Sequence, residues 1–400
     1  MKIAMMVLGY VPLPRPSDMI YAPADIAVTI AEGLARKGHQ VDLFGPLGSR
    51  SNDPHITVQT LNLRPLAQTQ REMRRLFRSS DRFTNYVPQI WDQYFAKEMF
   101  VRASHGVYDV LHFHHPEIAL PLAKAFTNVQ VVYTLHDPIT SWYRELLELY
   151  ETPNQHHISI SMNQRRDAPD LPYIANIYNG TYLHNFTFSA AHEDYLLYVG
   201  RIVPEKGVKE AVRVARETNH RLLIIGTVYP DSQGYFDQYI KPFLNNRILY
   251  LGFIEQSHLS QYYQNAKALL TPVQWEEPFG LTTIEAMACG TPVISLRRGA
   301  APEIIQDGET GFVVDSIADM ITAVGNIERI NRRACRKHVE TKFSLTHMVD
   351  AYEQAFLKLV PPLQRKLMHP QPVIQKQLKR VPFRFRRQKP GTGGKTYPAS

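Results

Sequence analysis

Two glutamates eight positions apart, Glu277 and Glu285, flank the segment Pro278-Phe279-Gly280-Leu281. The apolar run Ala268–Thr271 precedes them, and Gly290-Thr291-Pro292-Val293-Ile294 follows. The pattern predicts a strand, a loop, a helix that begins near Phe279–Gly280 and ends at Gly290, and a second strand. At such a junction the free backbone N–H groups and the helix dipole favour an anion. Gly280 lets a ligand approach the backbone closely. At about 1.5 Å per residue, Glu285 lies roughly 7–8 Å along the axis from the helix mouth. One carboxylate can thus reach a sugar at the mouth and the other a ribose beside it. A second segment, Tyr198-Val199-Gly200-Arg201-Ile202-Val203-Pro204-Glu205-Lys206-Gly207, sets one cation at a strand end and one at a helix start. A diphosphate leaving group gains negative charge as its bond to a sugar breaks, and two fixed cations stabilise that charge. In the first half of the chain, Tyr133-Thr134-Leu135-His136-Asp137 closes another apolar run. Parallel α/β domains place their ligands at such carboxyl ends of strands.

The run from Glu277 through Glu285-Ala286-Met287-Ala288-Cys289-Gly290-Thr291-Pro292 resembles the E-x7-E signature of the family-4 retaining glycosyltransferases, which have the GT-B fold. The segment from Gly200 to Gly207 resembles that family's G-R-x-x-x-x-K-G block, and 159–166, 177–181, 301–305 and 307–312 resemble further segments. The likeness covers roughly residues 1–355 and is strongest after 195. It implies that Glu277 contacts hydroxyls of a donor sugar and that Glu285 holds the nucleotide ribose. The backbone of Phe279, Gly280 and Leu281 would line sugar and phosphate, and Arg201 and Lys206 would hold the diphosphate. His136 would lie near the reacting carbon, with Asp137 orienting it or meeting the acceptor. The implied catalytic set is His136, Glu277, Arg201 and Lys206. The implied reaction moves a hexose-type sugar from a nucleotide-diphosphate-sugar to a glycan, a lipid-linked acceptor or a small molecule, with retention. No Asp-x-Asp, the metal-holding motif of GT-A transferases, occurs in the chain. The expectation is therefore a metal-independent enzyme with no cofactor besides its donor substrate.

One loop departs from the family pattern. Paired glycines usually follow the first strand, but here the loop from Gly9 to Ala24 has one early glycine and several prolines. Arg15, Asp18 and Tyr21 in this loop are candidates for the acceptor side. His112-Phe113-His114-His115 would place His112 and His114 on one face of a strand, and no neighbouring Cys or carboxylate cluster completes a metal site.

These residues need a scaffold of alternating strands and helices. Lys2–Leu8, a helix over 24–37 and Val41–Phe44 read as a first β-α-β unit, with Ala27, Ile30, Ala31 and Leu34 on one helical face. Similar alternation continues to Tyr173–Tyr178, and a second series starts at Tyr195. The expected fold is α/β: two Rossmann-like, doubly wound domains facing across a cleft. Residues 1–188 would form the acceptor-side domain and 189–343 the nucleotide-sugar domain. Residues 344–362 would be a helix packing back on the first domain, and 363–400 a basic, disordered tail. The net charge of +8 comes from that tail: ten of the 45 basic residues lie in 361–400, which has no Asp or Glu. That balance argues against a nucleic-acid partner. Two cysteines cannot form a disulfide framework, and the opening residues lack the features of a signal peptide. A cytoplasmic protein is expected, with peripheral membrane contact through the basic segments 71–84 and 376–389. The alternatives left open are a non-catalytic nucleotide-sugar-binding scaffold and another GT-B enzyme such as a sugar-nucleotide epimerase. A dehydrogenase is disfavoured, since no G-x-G-x-x-G follows the first strand.

Overall fold

The computed structural model describes residues 1–19, 21–78 and 82–360. The expectations for the tail, including the basic run 376–389, fall outside the described residues, as does part of the 71–84 segment.

The first sheet contains β1 (Lys2–Met6), β2 (Gln40–Phe44), β3 (Ile56–Gln59), β4 (Val110–Phe113), β5 (Val131–Thr134), β6 (Gln155–Ser159) and β7 (Tyr173–Asn176). All pairings are parallel, in the order β3-β2-β1-β4-β5-β6-β7. Its helices are α1 (Ala22–Arg36), α2 (Gln70–Phe77), α3 (Arg82–Ser104), α4 (Pro116–Ala125) and α5 (Ser141–Tyr150). Parallel strands need crossover helices, so both faces of the sheet are covered, and the inner strands β1, β4, β5 and β6 are almost wholly buried. The pleat divides them: Ile3, Met5 and Val7 enter a core with α1, while Ala4 and Met6 enter another with α3 and α4.

The second sheet contains β8 (Tyr195–Val199), β9 (Arg221–Ile225), β10 (Ile248–Gly252), β11 (Ala268–Thr271), β12 (Val293–Leu296) and β13 (Gly311–Val314). It is also parallel, in the order β10-β9-β8-β11-β12-β13. Around it lie α6 (Val208–Glu217), α7 (Gln233–Tyr239), α8 (Gln256–Asn265), α9 (Leu281–Ala288), α10 (Ala301–Ile304), α11 (Ile317–Asn326) and α12 (Arg332–Lys342). Strand order reverses between β1 and β4 in one sheet and between β8 and β11 in the other. Open α/β sheets bind ligands at that reversal, outside the carboxyl ends of the strands. Arg201 and Glu277 follow β8 and β11, at the second reversal itself, while His136 follows β5, one strand from the first.

The chain crosses between the sheets twice. The crossings run side by side: Thr181 N–H donates to the Phe343 carbonyl at 2.9 Å, and Leu345 N–H donates to the Thr181 carbonyl at 3.2 Å. After the second crossing, α13 (Leu345–Leu359) returns to the first sheet. Met348, Val349, Tyr352 and Phe356 are buried with α1, and Tyr352 Oη is 3.0 Å from Thr134 Oγ1 at the end of β5. Gly33 is required there, because a Cβ on it would lie 2.3 Å from Val349 Cγ2. The sheets also meet at Glu303, whose carboxylate accepts N–H bonds from Met162 and Asn163 (2.7 and 2.6 Å) and a hydroxyl bond from Tyr178 (2.9 Å).

Candidate active site

On the second domain the site grows from β8 and β11. The chain leaves β8 at Gly200-Arg201, and Gly226, after β9, packs so closely that a Cβ on it would lie 1.8 Å from the Gly200 carbonyl oxygen. Arg201 is exposed, and its backbone carbonyl accepts the Tyr198 hydroxyl at 3.0 Å. Gly207 has φ +72°, and a Cβ there would lie 1.8 Å from the carbonyl oxygen of Pro272, the residue after β11. That close approach brings Lys206 against the β11–α9 loop. The Lys206 ammonium pairs with Glu277 Oε2, which also accepts Trp275 Nε1–H at 2.8 Å. The ammonium lies 5.0 Å from the Trp275 ring centroid. Glu277 is further fixed by its backbone, whose carbonyl accepts Ala300 N–H at 2.9 Å. A carboxylate and an ammonium thus share one half-buried spot.

The helix that follows starts at Leu281 with Gly280 as its N-cap, at φ +99°. Phe279 is buried against Tyr178 and Phe343, so its side chain is structural and only its backbone faces the mouth. Glu285 is 6% exposed. Its oxygens accept Tyr263 Oη–H at 2.9 Å and Gln256 Nε2–H at 3.0 Å. Burial raises its carboxyl, these two donors lower it, and the Asp25 carboxylate of α1 pushes it up again. A ribose hydroxyl would reach Glu285 by displacing a present partner, and Gln256 is the exposed one of the two.

On the first domain, His136 stands just beyond β5. Its Nε2 is 2.8 Å from His114 Nδ1, and the rings stack at 5.1 Å. The partner of His136 is thus His114 and not Asp137, which corrects the expectation that Asp137 orients it. The reason is registry: β4 and β5 are adjacent parallel strands, so residues beyond their ends meet laterally. Burial and the neighbouring rings push His136 down to about 3, and burial alone does the same to His112; burial and the adjacent rings hold His114 well below its ordinary value. The three rings are therefore neutral near pH 7. Asp137 is exposed to the cleft. Desolvation raises its carboxyl, against the lowering effects of His115 and Arg201.

Three residues of the first loop were candidates for the acceptor side. Arg15 is used internally, in an ion pair with Asp25 at 2.7 Å and a bond to the Met19 carbonyl. Asp18 accepts Gln70 N–H at 3.1 Å, at the start of α2. Tyr21 is hydrogen-bonded to His115 Nε2 and stacked on its ring, and His115 Nδ1 is 3.1 Å from Glu117 Oε1. Burial lowers His115, but Glu117 and neighbouring carboxylates outweigh it and raise its pKa.

Sequence reasoning passed over Asp92. It lies inside α3, buried, and accepts Gly9 N–H at 2.5 Å. Burial pushes its carboxyl up to about 8, against the lowering effects of Gly9 N–H and His115. The N–H of the loop's early glycine is therefore already bonded to a carboxyl. The available signal was the spacing Asp92, Phe95, Ala96, Met99, which puts an acid on a buried helical face.

Residues 26–173 match the family model described as Glycosyltransferase Family 4, and residues 183–334 match the one described as Glycosyl transferases group 1. A relative from Klebsiella pneumoniae, an uncharacterised 41.2 kDa protein in the cps region, is 30% identical over 170 residues. That match spans 40% of this chain and 45% of the relative, less than half its length. Among solved structures, sucrose-phosphate synthase from Thermosynechococcus elongatus superposes with a TM-score of 0.71 at 22% identity, covering 90% of this chain and 98% of that one. Anabaena Alr3699/HepE in complex with UDP and glucose gives 0.63 at 17% identity, covering 90% and 100%. These likenesses show the shared fold. The two family models, one in each half of the chain, support a family-4-type glycosyltransferase, and the solved structures share its GT-B fold.

Proposed function

We propose that the chain transfers a hexose-type sugar from a nucleotide-diphosphate-sugar to a carbohydrate or lipid-linked acceptor, with retention and without a metal. The observation that carries this reading is the grouping of Arg201, Lys206 and Glu277 at the strand ends on the reversal point of the second sheet. UDP and glucose occupy a structural neighbour of the same fold, which supports a nucleotide-sugar donor. In this reading the leaving diphosphate draws Lys206 away from Glu277, and Arg201 meets it from the exposed side. Glu277, released, accepts hydrogen bonds from the sugar hydroxyls. Fixed cations aimed at charge that develops in the transition state contribute more than equal binding of the ground state. Neutral His136 offers the sugar a hydrogen bond without adding a positive charge near an oxocarbenium-like carbon. The acceptor hydroxyl enters from the first domain and attacks on the face that the leaving group departs. The test is a thermal-shift panel of UDP, GDP, ADP and dTDP, with and without their common sugars, on wild type, Arg201→Ala and Glu285→Ala. A ligand of the folded state raises the melting temperature. One nucleotide should do so, with the effect lost in both variants. If none does, the nucleotide-sugar donor assignment fails.

A further inference from the structure

A groove of about 480 Å³ opens between α2 of the first domain and the loop after β9 of the second. Arg71, Arg74 and Arg75 of α2, with Arg78 just past it, form one wall, and Thr227 and Pro230 form the other. The arginines fall at positions i, i+3, i+4 and i+7, a single helical face. Two are engaged by the second domain: Arg74 lies over the Tyr229 ring at 3.9 Å, and Arg78 pairs with Asp231. Arg71 and Arg75 are exposed and have no ion pair among the described residues. Asp18, the carboxylate of the lining, already accepts Gln70 N–H. Like charges four residues apart weaken a helix. Paired guanidinium forks match phosphate oxygens bidentately.

The groove adjoins the donor crevice, because the Thr227 carbonyl accepts Ile202 N–H at 3.2 Å, one residue from Arg201. The donor diphosphate already has Arg201 and Lys206. We infer that Arg71 and Arg75 form a second anion site, which holds a phosphate or diphosphate carried by the acceptor; the assignment to the acceptor rests on the transferase reading above. An open membrane surface fits less well. Met73, on the other side of α2, packs on the first domain's core, Phe77 meets Tyr10 edge-on at 6.1 Å, and a protein wall faces the arginines.

The test titrates inorganic pyrophosphate into the full chain by calorimetry, comparing wild type, Arg71→Gln/Arg75→Gln and Arg201→Ala. Both groove side chains are exposed, so the double variant keeps its melting temperature without ligand. The expected result is two pyrophosphate sites in wild type, with the groove site weakened at least tenfold in the double variant and retained in Arg201→Ala. Pyrophosphate binding equal to wild type in the double variant overturns the proposal. So does a double variant that loses sedimentation with phosphatidylglycerol vesicles while its pyrophosphate binding is unchanged, since the arginines would then serve a lipid surface. The nucleotide panel separates the two readings. A nucleotide shift without groove binding leaves the transferase and removes the groove; groove binding without any nucleotide shift leaves an anion site and removes the donor assignment.

Discussion

The pairing of Lys206 with Glu277 can be tested by a double-mutant cycle of Lys206→Met, Glu277→Gln and both together. The side chains are 19% and 18% exposed, and Glu277 Oε2 is also held by Trp275 Nε1–H at 2.8 Å. Two unit charges about 4 Å apart attract by about 4 kcal/mol at an effective dielectric constant near 20. Desolvation of both groups offsets much of this, so a coupling of about 1–3 kcal/mol is expected, above the ~0–1 kcal/mol of an exposed pair. Lys206→Met leaves the carboxylate with only Trp275, and Glu277→Gln leaves an ammonium over an indole. Each single change should lower stability by about 2 kcal/mol, and the double change by clearly less than the sum. Urea unfolding of the four proteins measures this, with equal m-values required. Additivity within about 0.5 kcal/mol would refute the coupling. If Lys206 also meets the diphosphate, Lys206→Met should lower kcat about 10²–10³-fold.

Three further outcomes follow from the packing. Asp92, raised to about 8 from an ordinary 3.8, keeps in the folded state a proton that the unfolded chain releases. The stability it contributes is therefore full below about pH 4 and is lost as pH rises through about 8. Asp92→Asn keeps an oxygen for Gly9 N–H, so it should match wild type below about pH 4 and exceed it progressively as pH rises to about 8, by up to about 1.4 kcal/mol per pH unit; equal pH profiles in urea unfolding contradict the burial. Gly33→Ala gains about 1 kcal/mol of helix propensity, but its Cβ would press on Val349 at 2.3 Å. Overpacking of about 1–3 kcal/mol should win, and a higher denaturation midpoint would show that α13 yields. Gly207→Ala combines φ +72° with a Cβ 1.8 Å from the Pro272 carbonyl oxygen. A stability loss of about 3 kcal/mol or more is expected, together with loss of the nucleotide-induced thermal shift, because Lys206 moves with it.

The repeating units of the fold were legible because they are local. The helix expected over 24–37 is Ala22–Arg36, with a proline in its first turn and Gly38 at φ +88° beyond its end. The strand, loop and helix around Glu277 likewise follow from the apolar run, Gly280 and Gly290. The long helix α3 went unnoticed: Pro88 lies inside it, and polar residues interrupt its apolar face. Asp92 was hidden with it, since an acid reads as surface until a backbone N–H from residue 9 is placed beside it. The same limit hid the partner of His136. A ring contact between residues 114 and 136 depends on which strands are neighbours, and spacing along the chain does not carry that information. The face of α2 was visible as a basic run, but its opposite wall at Thr227 and Pro230 belongs to a segment far away in sequence.

The position of α13 bears on how the protein is made. A chain emerging from the ribosome presents the first sheet and α1 early, yet Met348, Val349, Tyr352 and Phe356, which fill the core beside α1, come after the whole second sheet. At ~5–20 residues per second, the gap between Thr181 and Leu345 lasts roughly 10–30 s. Throughout that interval the flank of α1 around Gly33 has an apolar trough with no occupant, and the second domain is complete only at its end, when α12 and Phe343 have emerged. The later-synthesised half therefore matures first, and the earlier half is sealed by the last helix. A nascent chain stalled before residue 345 would carry a finished donor domain and an open, sticky acceptor domain, a natural substrate for chaperones.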